Sequence, residues 1–172
     1  MLMPETAISI RDKERLIDTI RQARNSWVTF APSLDSFWSE LRNVPGLHPT
    51  DVPENVITMD SRFVVRDERN NTKATFTLVY PEEADPERGR VSVLSPPGMA
   101  LLGACVGDNV QWFADEKLKS VVVTELLHQP EKVARLERHA RERARGEGNG
   151  NLASASQAAG AGSPTNGSRA GL

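Results

Sequence analysis

The sequence has few of the features that mark secreted or membrane-bound proteins. It contains a single cysteine, Cys105, which excludes an internal disulfide framework and is typical of a reducing compartment. No apolar run is long enough to cross a bilayer, and residues 1–4 do not have the composition of a signal peptide. These absences predict a cytoplasmic protein that makes no contact with a membrane.

The sequence also lacks the spacing patterns of common catalytic and metal sites. Its three histidines, His48, His128 and His139, are isolated from one another, and none lies within a His-x3-His or Cys-x2-Cys pattern. There is no glycine-rich phosphate loop followed by Lys-Ser/Thr, and no Gly-x-Ser-x-Gly elbow. We therefore expect no enzymatic activity, no metal and no cofactor.

The sequence has a low fraction of apolar residues and no excess of basic over acidic residues. Hydrophobic residues make up 38% and aromatic residues 5% of the 172 residues, which is low for one core that includes the whole chain. The formal net charge of -2 does not favour an autonomous DNA-binding protein. Residues 146–172 are mostly Gly, Ala, Ser and Asn, a composition that predicts a disordered tail.

Two stretches near the N-terminus carry apolar residues at helical spacings of three and four. The repeats are Leu16, Ile20, Ala23 and Trp27 within residues 10–27, and Leu34, Phe37, Leu41 and Val44 within residues 33–44, with Trp38 widening the second face. Ser33 is a candidate N-cap for the second helix. Because the connection is short, the pattern predicts an antiparallel αα-hairpin, a short coiled coil over residues 8–47.

From residue 56 onward the apolar repeat changes to that of strands. Five strands are predicted, at residues 56–66, 75–80, 91–94, 110–113 and 121–127, with one short buried helix inside residues 99–105. This order predicts a small α+β domain over residues 51–128. Residues 129–172 follow as an Arg-rich segment, helical over 131–145, and the disordered tail; the basic segment could touch nucleic acid or an acidic surface, although a solvated helix is the simpler interpretation.

The segment 95–103, Ser-Pro-Pro-Gly-Met-Ala-Leu-Leu-Gly, closed by Val106-Gly107-Asp108, has the form of a family signature. Together with the blocks at residues 56–62 and 77–86, it resembles the C-terminal domain of the Gre/Rnk family, and the Rnk type more closely than the Gre transcript-cleavage factors. The resemblance is strong over about residues 51–128 and extends to residues 10–50 in layout only. It implies an FKBP-like fold, in which an antiparallel sheet wraps around a short helix.

The resemblance also implies a partner. In this family the C-terminal domain docks on the rim of the secondary channel of bacterial RNA polymerase, so nucleic acid would be met only indirectly, through the polymerase. If this chain docks in the same way, the resemblance implies that the interface includes Ser95, Pro96, Pro97, Gly98 and Met99. A rigid Pro-Pro-Gly turn would lose little entropy on docking. The alternative is that these residues only shape the turn, and Pro97 stands where the family commonly has an aliphatic residue.

Gre factors carry two acidic side chains at the hairpin tip, which help the polymerase to hold a magnesium ion for transcript cleavage. The tip here, about residues 25–36, contains one acid, Asp35, near Trp27, Phe30 and Pro32. One loosely placed carboxylate is a poor site for a divalent cation, and an 18-residue helix reaches only ~27 Å. We therefore expect a regulator that occupies the channel without cleaving the transcript and competes with Gre factors.

Two alternatives stay open at this point. One is a cleavage factor that uses a lone acid, Asp35 or Glu40, and the other is a general protein-interaction module unrelated to polymerase. The apolar stripe of the hairpin would allow either a monomer or a weak dimer. The FKBP-like fold alone does not favour prolyl isomerase activity, because a fold is weak evidence for function.

Overall fold

The structure is a computed structural model that describes residues 7–25, 32–114 and 116–150. Its helices and strands, in chain order, are β1 (Ile8–Ser9), α1 (Ile10–Asn25), α2 (Pro32–Asn43), β2 (Gly46–Leu47), β3 (Arg62–Asp67), β4 (Lys73–Val79), β5 (Arg90–Ser92), α3 (Pro96–Leu101), β6 (Asn109–Ala114), β7 (Lys117–His128) and α4 (Pro130–Gly150). The chain divides into two units, the first ending at Arg135 and the second beginning at Leu136.

Both predicted N-terminal helices are present, with shifted ends. Helix α1 ends at Asn25, and the two aromatic residues predicted for the tip, Trp27 and Phe30, lie outside the described residues. Helix α2 begins at Pro32, so the prediction that Ser33 is the N-cap is wrong. Proline suits the first turn of a helix because its fixed φ is already helical and its missing N–H would have no partner there.

The main sheet has five strands in the order β5-β4-β3-β7-β6. Strand β3 pairs antiparallel with β4 and β7, and β6 pairs antiparallel with β7. The short edge strand β5 differs from the predicted antiparallel arrangement, because it runs parallel to β4, with Thr77 opposite Arg90. Parallel neighbours need a crossover rather than a hairpin. Two short 3-10 helices, Pro81–Glu83 and Pro86–Arg88, provide that crossover.

Of the first predicted strand, residues 56–66, only the second half is part of a strand, β3. Val56 forms an isolated bridge with Cys105, and β3 starts six residues later at Arg62. Between them, Ser61 N donates to Thr58 O at 3.2 Å and Asp60 adopts a φ of 58°. Aspartate tolerates this left-handed conformation better than most residues, so a tight turn replaces the start of the predicted strand.

The hairpin helices and the sheet contribute to one buried core. Leu16 and Ile20 of α1 and Leu41 of α2 are fully buried and belong to the same cluster as Phe63 of β3 and Leu101 of α3. The segments that flank the helices also pair, because β1 runs parallel to β2. The described parts of α1 and α2 therefore pack on the sheet, while the domain division at residues 8–47, 51–128 and 129–172 stays a prediction.

Helix α4 confirms the predicted C-terminal helix and is longer than expected. It extends to Gly150, so residues 146–150, predicted as the start of the disordered tail, are helical, and residues 151–172 lie outside the described part. Its first turns are tied to the first unit, since Arg135 Nη2 donates to Val52 O. None of the helices described in this chain is long and apolar enough to cross a membrane.

Candidate functional site

The signature segment builds the start of helix α3. Ser95 is the N-cap: its Oγ donates to Ser92 O at 2.6 Å and accepts from Gly98 N at 3.3 Å. Pro96 and Pro97 occupy the first two helical positions, where their missing N–H groups leave no donor unsatisfied. The Ser-Pro-Pro-Gly sequence is thus explained locally as a capped, rigid entry into a six-residue helix.

Glycine at position 98 is required by contact with the preceding strand. A Cβ atom built on Gly98 would lie 2.0 Å from Ser92 O and 2.8 Å from Val93 Cα. These distances are shorter than any van der Waals contact, so the α3 backbone can approach β5 only without a side chain here. The signature glycine therefore fixes the position of α3 against the edge of the sheet.

The five residues predicted for docking have different exposures. Pro96 is exposed, Ser95 and Pro97 are half-buried, Gly98 is buried, and only 8% of Met99 is accessible. The first three can meet a partner directly, whereas the last two hold the turn from beneath. Their role in docking stays a prediction.

An open groove of about 490 Å³ lies beside the signature. Helices α2 and α3 and strand β6 line it, and we call it the signature groove; its residues are Ser36, Phe37, Glu40, Pro96, Met99, Ala100, Gln111, Trp112 and Phe113. Phe37 and Met99 are buried, and Phe113 is 68% exposed. A partner entering the groove would thus meet mostly apolar surface next to an exposed aromatic ring.

Sequence reasoning did not single out Phe113 as part of this site. On β6, Val110 is buried and Trp112 half-buried, while Gln111 and Phe113, which each follow one of them, are exposed. A large aromatic side chain at an outward strand position is a signal that sequence alternation could have provided, because such a residue gains nothing from the core. Phe37 of α2 reaches the same groove only through tertiary packing, which no local pattern reveals.

At the hairpin tip the structure describes Asp35 and the start of α2 at Pro32. The Asp35 carboxylate lies 3.6 Å from Arg24 Nη2 of α1, and the Arg24 guanidinium lies 5.9 Å from the ring centroid of Trp38. Asp35 is thus engaged in an interhelical ion pair. Among the residues that the structure describes, no group of three or more His, Cys, Asp or Glu is arranged to hold a metal ion.

A buried polar network lies near the N-terminus of α1 and was missed by sequence reasoning. Asp12 accepts hydrogen bonds from Ser9 Oγ at 2.9 Å and from Tyr80 Oη at 3.3 Å, and Thr58 Oγ1 donates to Glu131 Oε2 at 2.8 Å. These contacts connect α1, the turn before β3 and the first turn of α4. They belong to the interior of the fold rather than to an open site.

The electrostatics of this network follow from burial. Burial raises the pKa of the Glu131 carboxyl above its ordinary value, and the nearby Asp12 charge acts in the same direction, against the opposing hydrogen bond from Thr58. Burial likewise raises the pKa of the Tyr80 hydroxyl, with Asp12 as the next cause. The Arg15 guanidinium, 3.6 Å from the centroid of the Tyr80 ring, covers the network.

Comparisons with known proteins agree with this architecture. Residues 52–127 match the family model described as "Transcription elongation factor, GreA/GreB, C-term". The regulator of nucleoside diphosphate kinase of Escherichia coli K12 is 32% identical over 132 residues, which cover 76% of this chain and 95% of that protein. The transcription elongation factor GreA of Clostridium acetobutylicum is 27% identical over 90 residues, or 52% of this chain and 57% of that protein.

A solved structure gives the same result at the level of the fold. The prokaryotic transcription elongation factor GreA/GreB from Nitrosomonas europaea superposes with a TM-score of 0.61 at 30% identity, covering 73% of this chain and 100% of that one. The likeness therefore holds in sequence and in fold over about three quarters of this chain. The chain belongs to the Gre/Rnk family of transcription factors, with a GreA/GreB C-terminal domain, and is a homologue of the regulator of nucleoside diphosphate kinase.

Proposed function

We propose that this protein is a transcription regulator that binds bacterial RNA polymerase at its secondary channel, competes with Gre factors there and does not cleave the transcript. The observation that carries this proposal is the signature groove. It brings Pro96 of the family signature onto one surface with Ser36 and Glu40 of the hairpin helix α2, above a floor that contains the buried Phe37 and Met99. One partner could therefore contact both the C-terminal domain and the hairpin.

The chemistry of the groove suits a protein partner. Exposed aromatic residues above a buried apolar floor are the usual anchors of protein interfaces, and Phe113 and Met99 stand in that relation. The start of α3 at Ser95–Pro97 is held by the Ser95 cap, so docking would cost little conformational entropy. In this proposal Ser95, Pro96 and Pro97 touch the channel rim, while Gly98 and Met99 support them.

The hairpin supports the absence of cleavage. Helix α1 has 16 residues, so it is only ~24 Å long at the rise of an α-helix. The single tip acid, Asp35, lies close to Arg24, whereas a divalent cation needs several free oxygen ligands. The tip residues Trp27, Phe30, Pro32 and Asp35 would contact the channel wall without supplying catalytic carboxylates.

The test is a binding and competition assay with bacterial core RNA polymerase. Labelled protein is titrated with polymerase, and an unlabelled Gre factor is then added as competitor. Phe113→Ala should weaken binding by about 10-fold or more, the effect of removing an interface anchor. Leu127→Ala is the matched control, because Leu127 is also an exposed apolar residue on the sheet but lies outside the groove, and it should change binding less than about 2-fold.

Three outcomes would contradict the proposed function or its docking surface. Magnesium-dependent cleavage in stalled complexes, lost in Asp35→Asn, would support a cleavage factor with a lone tip acid instead. If the folded protein, checked by circular dichroism, does not bind core polymerase at micromolar concentration, the proposal fails and a general protein-interaction module takes its place. Equal weakening by Phe113→Ala and Leu127→Ala would remove the groove as the docking surface.

A further inference from the structure

The part of α4 that belongs to the second unit is not explained by packing. Every residue from Leu136 to Arg145 is exposed, and Leu136 is 59% accessible. These ten residues contain four arginines and two glutamates, a formal charge of +2, which leaves -4 for the rest of the chain. They also lie beyond residue 127, where the match to the family model ends. Neither the core nor the shared domain therefore accounts for this basic helix.

Three of the arginines form one stripe. Arg138, Arg141 and Arg145 follow each other at spacings of three and four, so they fall within an arc of about 60° on the helix. Together with Glu142 and Ala144 they line one continuous exposed surface. The nearest carboxylates are loosely held, at 3.9 Å for Arg138 with Glu142 and 3.7 Å for Arg141 with Glu137. Exposed pairs at such distances contribute little, and a stronger anion can displace them.

We infer that this arginine stripe binds the phosphate backbone of duplex DNA. Guanidinium groups bind phosphate oxygens in bidentate, charge-assisted pairs, whereas the glutamate contacts on this helix are as long as 3.7 and 3.9 Å. The charge separation within the chain matches a polyanion, because the stripe is positive while the remainder is negative. The contact is to the backbone and is therefore independent of base sequence.

The residue types on this helix favour duplex DNA over other polyanions. Residues 136–145 contain no Phe, Tyr or Trp, which single-stranded nucleic acids use as stacking platforms. The major groove of B-form DNA is wide enough for an α-helix, whereas that of A-form RNA is too narrow for side chains to enter. This direct contact goes beyond the expectation that nucleic acid is met only through the polymerase, and it does not depend on the proposed function.

The test measures binding of the full chain to a fluorescent 20-base-pair DNA duplex by anisotropy, with no polymerase present. Three phosphate contacts predict a salt slope of about -2.7, or about a 40-fold loss of affinity between 50 and 200 mM salt. Replacing Arg138, Arg141 and Arg145 together by Gln should abolish binding at 200 mM salt. The matched control replaces Arg11, Arg62 and Arg88, three exposed arginines of the first unit, by Gln. This variant should retain DNA binding at 200 mM salt.

A gain-of-binding variant excludes misfolding as the explanation. Glu142→Gln removes a negative charge from the stripe and frees Arg138, so it should tighten DNA binding several-fold. The inference is overturned if the wild-type chain does not bind DNA at 50 mM salt, or if the two triple variants lose equal affinity. The inference would also be overturned if the chain bound an RNA duplex of the same sequence, or poly-glutamate, more tightly than the DNA duplex. Since polymerase is absent, these outcomes are distinct from failure of the proposed function.

Discussion

At the scale of single residues, Gly98 and Gly107 illustrate two different reasons for which a fold needs glycine, namely lack of space for a side chain and a positive φ. Gly98 has ordinary helical geometry but no room for a Cβ, which would lie 2.0 Å from Ser92 O. Gly107 is the reverse, since its φ is +102° and nothing lies within 4 Å of the place that a methyl group would take. The two glycines therefore isolate steric overlap from backbone strain.

Gly98→Ala should lower the free energy of unfolding by about 3 kcal/mol, because α3 must shift away from β5 to admit the methyl group. Gly107→Ala, the control, should cost only about 1 kcal/mol, the strain of a left-handed conformation. Urea unfolding followed by circular dichroism measures both. A loss for Gly98→Ala no larger than for Gly107→Ala would contradict the close approach of α3 to Ser92.

Glu131 makes stability depend on pH. Burial raises the pKa of its carboxyl in the folded state, so the folded protein holds the proton more tightly than the unfolded chain does. The contribution of this group is therefore most favourable below its ordinary pKa of 4.5 and is lost as the pH rises through the raised folded value. Burial raises the pKa of Asp60 too, so this second group acts in the same direction.

Glu131→Gln should make the protein more stable than the wild type at pH 7.5, and the difference should shrink as the pH falls toward 4. The neutral amide keeps an oxygen that can accept from Thr58 Oγ1 while losing the cost of burying a charge beside Asp12. Urea unfolding at both pH values provides the measurement. Glu137→Gln, on the exposed face of the same helix, should show no such pH-dependent difference. A destabilised Glu131→Gln at pH 7.5 would show that the carboxylate is favourably buried.

At the scale of elements, local sequence patterns account for the helices and most of the strands. The spacing of Leu16 and Ile20, and of Phe37 and Leu41, predicted the buried faces of α1 and α2, because one helical face must supply the core. The sequence predicted a turn at Pro96–Gly98 followed by a short buried helix within residues 99–105. The helix is present but begins three residues earlier, at Pro96, because Ser95 caps it and proline suits its first positions. The resemblance to a known family supplied the fold from these local features.

The features that could not be predicted depend on partners distant in the chain. The parallel direction of β5 follows from how residues 80–89 cross over, which no repeat in Arg90–Ser92 encodes. The signature groove needs Phe37, Met99 and Phe113, three residues on three elements with no shared spacing. The pair Thr58 and Glu131 is 73 residues apart in sequence. Sequence patterns find the faces of elements, and packing decides which faces meet.

At the scale of the whole molecule, the first unit extends beyond the segment that matches the family model. The match ends at residue 127, yet Gln129 Nε2 donates to Pro53 O at 2.8 Å and to Val56 O at 2.9 Å. Arg135 adds a bond to Val52 O, and Glu131 accepts from Thr58. The first turns of α4 therefore bind the segment that leads into the sheet, whereas residues 136–145 are all exposed.

Two shortened chains test where the fold ends. A chain ending at Ala140 keeps all of these contacts and should unfold with a free energy within about 1 kcal/mol of the full chain, because residues 141–145 are exposed and make none of them. A chain ending at His128 loses the buried hydrogen bonds of Gln129 and Glu131 and should be less stable by about 3 kcal/mol or more. Urea unfolding of both chains measures this difference.

The chain ending at Ala140 also separates the two interaction surfaces. It keeps the signature groove and should bind polymerase like the full chain, but it lacks Arg141 and Arg145 and should lose DNA binding at 200 mM salt. Anisotropy with each partner provides the readout. Loss of both activities in a chain that remains folded would mean that residues after Ala140 contribute to polymerase binding. If the two shortened chains have equal free energies of unfolding, the fold ends at His128 and the α4 contacts do not stabilise it.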